Sequence, residues 1–393
     1  MFHFSRALSL GVLILAALPL RAAYAPVPER PQEKDFTFSL RSALGHDSNL
    51  FGASVGEIDS VIWTVAPFVG YRTALTPQTF LISSYELTLD RFDSRPGKKL
   101  LDSHQAIVRL AHSFSSATSL EVRDEFAVSR NPASLLAGVP LNPDQSVKRN
   151  QLDARFVTPA GSRTTATVKA RTAYFGYRNP VLARSLDRVE NLFGAAADYS
   201  LLPEVKAVGE YHHQEVSYKT LGHTKDKSSD FLMAGADYAV ARKLSLSARL
   251  GAEWRRRAAE RDTTAPYAEV SAKYDYASRS FIAGGYAYTF EETADTARVT
   301  DIKVNRLFVN VQHAVSALVV ASGSLTYEPG TLQGRRGVAN VDEKTLRAGA
   351  ALSYLPTKNW IVTASADRDR VRSDDRVRQL KRTRVSLGAT FSF

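Results

Sequence analysis

Of the eight histidines in the 393-residue chain, two are adjacent, His212 and His213, and they follow Glu210 closely. An imidazole oriented by a carboxylate can serve as a general base, provided a nucleophile lies within hydrogen-bond reach. Neighbouring residues of a strand point to opposite faces, so the two histidines cannot share one site, whereas Glu210 and His212 can. No serine is marked by a motif as their nucleophile. His104, His112, His223 and His313 are scattered without metal-ligand spacing. The histidines therefore read as polar wall residues. No catalytic residue, metal site, cofactor or enzymatic activity is expected.

A second cluster is Asp47-Ser48-Asn49, preceded by His46. A carboxylate, a hydroxyl and an amide in a row could bind sugar hydroxyls or help hold a cation. The same residue types also suit the start of a loop, with Asp and Asn bonding their own backbone. Both readings stand at this level.

The charges that alternate with apolar residues are more informative. Arg41, Arg109, Glu121, Arg123, Glu125, Arg155, Lys169, Arg171, Lys206, Glu210, Arg249, Glu253, Glu269, Lys273, Arg347 and Arg384 all fall on the polar parity of alternating segments. Facing lipid at midplane, each Arg or Lys would cost about 2–4 kcal/mol. They must line an interior instead, and they are candidates for the lining of a pore whose field selects solutes. Cations outnumber carboxylates among them by eleven to five, which points to anionic or polyhydroxylated solutes.

The elements that carry these residues are strands. Leu244, Leu246, Ala248, Leu250, Ala252 and Trp254 alternate with Ser245, Ser247, Arg249, Gly251, Glu253 and Arg255, the period-two signature of a sheet with two environments. Short turns at Leu75–Gln78, Ser115–Thr118, Pro159–Ser162, Leu201–Glu204, Val240–Lys243, Ala277–Ser280, Ala314–Ala317 and Leu355–Lys358 recur about every 40 residues. Between them lie longer charged loops, among them Gly45–Asp59, Asn131–Lys148, Arg178–Leu186 and Pro329–Asp342. Eight turns separate nine hairpins. The expected fold is all-β, a transmembrane antiparallel up-and-down β-barrel of about 18 strands, or 16 if one hairpin is misassigned.

Aromatic residues support a membrane setting. Tyr71, Tyr199, Tyr238, Tyr276 and Tyr354 sit near short turns, while Phe126, Tyr174, Tyr211, Trp254, Tyr288 and Tyr327 sit towards the long loops. Two girdles bracketing small aliphatic residues suit the two headgroup levels. A propeller has a similar period but needs four strands per blade. The loop Asn131–Lys148, with Leu135, Leu136 and Val139 at its centre, could fold inward as a constriction or lie exposed.

At the N-terminus, Arg6 and an apolar run from Ala7 to Leu20 read as a secretory signal, too short to span a membrane. The division expected is a signal peptide over 1–25, a short periplasmic segment over 26–34 and the barrel over 35–393. The chain has no cysteine, so neither a disulfide nor a lipobox cysteine is expected. The formal charge of +11 is accompanied by no nucleic-acid motif.

The final strand, Arg384 to Phe393, alternates throughout and stops on an aromatic. It resembles the C-terminal strand of Gram-negative outer-membrane barrels, with Phe391 and Phe393 as the implied assembly signal for the barrel assembly machinery. The His46-Asp47-Ser48-Asn49-Leu50-Phe51 segment, followed by Val65-Ala66-Pro67, resembles the beta-barrel porin 2 family, whose relatives look like barrels of exopolysaccharide operons. The resemblance implies a cell outer membrane location and contact with outer-membrane lipid and lipopolysaccharide. It brings no catalytic residues. Two functions follow as expectations: a porin-like channel for passive diffusion of small hydrophilic solutes, or a non-enzymatic accessory barrel working with polysaccharide export components.

Overall fold

The computed structural model describes residues 35–130, 144–220, 224–240, 243–291, 298–335 and 337–393. The expected signal peptide over 1–25 and the expected periplasmic segment over 26–34 lie outside these residues, as do positions 131–143 of the loop expected either to fold inward or to lie exposed.

Eighteen strands form one sheet. In chain order they are β1 Phe36–Asp47, β2 Ser60–Thr76, β3 Thr79–Phe92, β4 Leu100–Ser113, β5 Ser119–Ser129 and β6 Val147–Pro159. There follow β7 Thr164–Tyr177, β8 Arg188–Leu202, β9 Val205–Tyr218, β10 Lys227–Val240, β11 Leu244–Arg257 and β12 Thr263–Ala277. The last six are β13 Ser280–Glu291, β14 Val299–Ala314, β15 Val319–Gly334, β16 Val341–Tyr354, β17 Trp360–Ser373 and β18 Leu380–Ser392. Each pairs antiparallel with its sequence neighbours, and β1 pairs with β18 from Ser39–Ser392 to Asp47–Arg384, which closes the ring. Closure leaves no unpaired edge, the condition for crossing hydrocarbon with strands. Among the described residues no helix is long and apolar enough to span a membrane.

The alternation sets the two faces. Leu246, Leu250 and Trp254 of β11 are exposed while Arg249, Glu253 and Arg255 between them are buried. The same inversion, apolar outside and charged inside, runs along β16 and β18, where Leu346, Leu352, Val385 and Leu387 are exposed and Arg347 and Arg382 buried. This is a solvent order reversed from that of a water-soluble domain. The expected girdle residues Tyr71, Tyr199, Tyr238 and Tyr354 are exposed at the short-turn end, as are Tyr211, Trp254 and Tyr327 towards the other.

Among the described residues the short turns fall where the sequence places them; 241 and 242 of the turn Val240–Lys243 lie outside the described residues. Three loops differ. The first begins at Ser48 rather than Gly45, because β1 continues to Asp47. β15 runs through Pro329 to Gly334, since a proline removes one donor from a ladder that its neighbouring rungs, Glu328–Thr345 and Thr331–Asp342, still hold. The segment expected as a loop over 178–186 contains a helix, α1 Pro180–Leu186, whose N-cap Asn179 accepts hydrogen bonds from the amides of Val181 and Leu182.

Candidate functional site

The inner wall is the candidate site. All sixteen charged residues singled out above lie on the face opposite the exposed apolar one, as their cross-strand rungs require. The wall brings most of them into contact with one another or with carboxylates the sequence reading had not selected.

The densest cluster joins four strands. Glu210 on β9 lies 3.7 Å from Lys169 Nζ on β7 and accepts a 2.9 Å hydrogen bond from Arg249 Nε on β11. The other end of the Arg249 guanidinium grips Asp237 on β10, with Nη1 at 2.9 Å and Nη2 at 3.0 Å, and Ser247 Oγ donates to the same carboxylate at 2.8 Å. Room for this is made by glycine. Gly235 lies opposite Arg249, and a Cβ there would stand 1.9 Å from the Ala248 carbonyl oxygen and 2.8 Å from Arg249 Cδ. Gly194 does the same for His212, whose Cδ2 would lie 2.7 Å from an added Cβ.

His212 Nε2 is 3.3 Å from Glu210 Oε2, in ion-pair range but off the line of a hydrogen bond. Among the described residues no serine hydroxyl hydrogen-bonds to it. No group of three or more His, Asp or Glu among the described residues is placed to hold a metal ion. His213 faces the other way, as expected, with Nδ1 2.8 Å from Asp230.

The remaining candidates form shorter links. Arg109 holds Glu121 through two 2.8 Å bonds, Arg123 reaches Glu125 at 2.9 Å, and Arg171 meets Asp153 at 2.6 Å. Glu253 is clamped by Arg255, with Nε and Nη2 at 2.8 and 2.9 Å, and Lys273 lies 2.9 Å from Asp275. Arg347 shares Glu328 with Arg306 at 2.8 and 2.5 Å, and Arg306 continues to Glu291 at 2.6 Å. Arg384 meets Asp369 at 2.9 Å. Glu269 accepts a 2.7 Å hydrogen bond from Tyr267. Arg41, Arg155 and Lys206 stand apart: none forms an ion pair with a described residue, and Arg155 Nε is buried without a hydrogen-bond partner. The sequence reading missed Asp153, Asp237, Glu291, Glu328 and Asp369. The excess of cations it counted is therefore largely offset on the same wall.

Two described segments at the long-loop end pack on inward-facing side chains. Leu50, Phe51 and Ile58 of the first loop pack on the inward side chains Ile62, Phe92 and Leu101, and Arg95 stacks over Phe51 at 5.5 Å. Leu182 and Leu186 of α1 pack on Tyr177 of β7, and Lys225 Nζ donates to the Ser185 carbonyl at 2.9 Å.

The Asp47–Asn49 motif closes the seam. Asp47 pairs with Arg382 of β18, with Nη2 to Oδ2 at 2.5 Å. Ser48 Oγ accepts from the Thr383 amide at 2.8 Å. Asn49 Nδ2 donates to the Ala53 and Lys381 carbonyls at 2.8 and 3.1 Å, and its own amide donates to Asp47 at 3.0 Å. His46 points outward, 3.2 Å from Asp59. At the other end of the seam the Phe393 amide donates to the Phe38 carbonyl at 2.9 Å, and the Phe391 and Phe393 rings meet edge to face at 4.7 Å.

No protein-family model matches the sequence, and a search of curated proteins finds no match. The likeness to the beta-barrel porin 2 family therefore rests on the short motif alone. Solved structures do resemble the chain. A BenF-like porin from Pseudomonas fluorescens Pf-5 is 11% identical, with 92% of this chain and 99% of that one covered and a TM-score of 0.51. Pseudomonas aeruginosa OpdK, solved with vanillate, is 12% identical, with 91% and 99% covered and a TM-score of 0.50. At these identities the likeness is one of fold. The chain is a closed, transmembrane, eighteen-stranded antiparallel barrel built like the outer-membrane porins it resembles.

Proposed function

We propose that the protein is an outer-membrane channel for passive diffusion of small hydrophilic solutes, anionic or polyhydroxylated, with its long loops outward. The observation that carries this is the inner wall: a lining rich in paired charged groups, enclosed by a ring of a size that leaves an aqueous channel in porins of 16–18 strands. Most wall charges neutralise each other, so the wall offers alternating donors and acceptors rather than one strong field. That suits hydroxyl-rich solutes. Arg41, Arg155 and Lys206, outside the ion pairs, supply the attraction for a carboxylate or phosphate. A barrel of the same fold has been solved with vanillate, a small aromatic carboxylate of the class proposed.

Single-channel recording of the refolded chain in a planar bilayer under a salt gradient tests this. Stable conductance steps with a modest anion preference are expected. Flat traces from a barrel that still shows heat-modifiable migration would overturn an open pore.

A further inference from the structure

The wall facing away from the barrel axis is uneven in charge at its long-loop end. On β9–β11 the outward charges neutralise one another: Asp230 is held by Tyr211 at 2.7 Å and His213 at 2.8 Å, and is paired with Arg256. On β16–β18 five cations share the outward parity, namely Lys344, Arg368, Arg370, Arg372 and Lys381. None of them forms an ion pair with a described residue, and Arg370 Nε is buried without a hydrogen-bond partner. Asp342, the acid on the same face beside Lys344, accepts from Thr331 Oγ1 at 2.7 Å instead. The register sets Arg372 directly opposite Lys344 and Arg370 directly opposite Lys381. Like charges directly opposite in an antiparallel pair destabilise it, so this face asks for an anion from outside.

Height on the wall narrows what that anion is. Trp360 marks the short-turn end of β17, and Arg368 and Arg372 follow on the same face. At roughly 3.3 Å per residue and a tilt of about 40°, they stand roughly 20 and 30 Å above it. These heights bracket the top of a hydrocarbon band of about 25 Å. On β18, outward Val385 and Leu387 lie below Lys381. There an open groove of about 510 Å³ is lined by Ser42, Leu44, Trp63, Val362, Leu387 and Ala389.

We propose that this face binds a phosphorylated glycolipid of the outer leaflet, its phosphates held by the five cations and an acyl chain lying in the groove beneath. Arginine forks match phosphate oxygens bidentately, and basic pockets at the membrane surface are suited to phosphorylated headgroups. A partner in solution would meet apolar, lipid-covered wall immediately below the cations. The proposal shares the orientation argued above but not the conduction.

Native mass spectrometry of the refolded full chain in non-ionic detergent tests it, with bisphosphorylated lipid A, dephosphorylated lipid A and inorganic pyrophosphate as probes. The wild type should retain bisphosphorylated lipid A, and the combined Arg368→Gln, Arg370→Gln and Arg372→Gln variant should retain at least tenfold less. Lys344→Gln with Lys381→Gln gives an independent variant expected to show the same direction. Retention equal to wild type in both variants would overturn the proposal, as would equal binding of the dephosphorylated lipid. Competition by pyrophosphate at equal concentration would overturn the lipid source in favour of a soluble anion. None of the five residues is on the inner wall, so conductance of the variants should match wild type. A failure to conduct in every protein would count against the channel and leave the lipid result standing.

Discussion

Asp47 and Arg382, separated by almost the whole length of the barrel sequence, form an ion pair across the seam in which both side chains are about 1% exposed. Two charges so deeply buried are tolerable only together, because either one alone would keep its desolvation cost without its partner. Arg382→Ala or Asp47→Ala should therefore destabilise the barrel by about 3–5 kcal/mol. The double substitution to apolar residues of similar volume should cost much less. Thermal midpoints of heat-modifiable migration for the two single variants and the double variant would measure the coupling.

The Glu210 cluster should tune ion preference. Glu210→Gln leaves Lys169 and Arg249 with one carboxylate fewer and should move the reversal potential towards anions. Arg249→Gln frees Asp237 and Glu210 and should move it the other way. Shifts of opposite sign in salt-gradient recordings are expected; the same sign in both would show that this cluster does not lie along the ion path.

The first loop is held in the mouth by Phe92, which is 1% exposed and packs with Leu50 and Leu101. Phe92→Ala should cost about 3–5 kcal/mol locally and release the loop. Larger single-channel conductance with more frequent current fluctuations is the expected reading. Unchanged conductance would place the narrowest point elsewhere.

Removing Phe393 deletes one backbone bond to Phe38 and one ring contact. Refolding in detergent should be little affected. The amount of folded barrel in the outer membrane of cells should fall several-fold if the terminal aromatic is the assembly signal. Equal amounts would remove that role.

The sequence made the barrel legible because period two and the short turns are local signals, and they placed the described short turns and both faces. The partners of the wall charges were less legible. Arg249 meets Asp237 and Glu210 only because of the register of β9, β10 and β11, which is a long-range fact. The parity of Asp153, Glu328 and Asp369 was nonetheless available in the sequence, and alternation alone would have put them on the wall. Asp124 shares the outward face with Val108 and Leu152 and is satisfied there by Asn150 Nδ2 at 2.8 Å, a contact that parity alone does not give. The helix α1 was signalled by Asn179-Pro180 and by Leu182 and Leu186 one turn apart, a pattern easily lost inside a charged loop.

Barrels of this construction change diameter by gaining or losing whole hairpins, and the wall charges show where this one can do so. At β4 and β5 one link joins adjacent strands, Arg109–Glu121, and another lies within β5, Arg123–Glu125, so a hairpin spliced on either side of this strand pair would leave both intact. From β7 to β11 the links skip strands, Lys169 to Glu210 to Arg249, and an insertion there would strand charges in the wall. Resizing, whether by evolution or by engineering, is therefore least tolerated in the arc from β7 to β11.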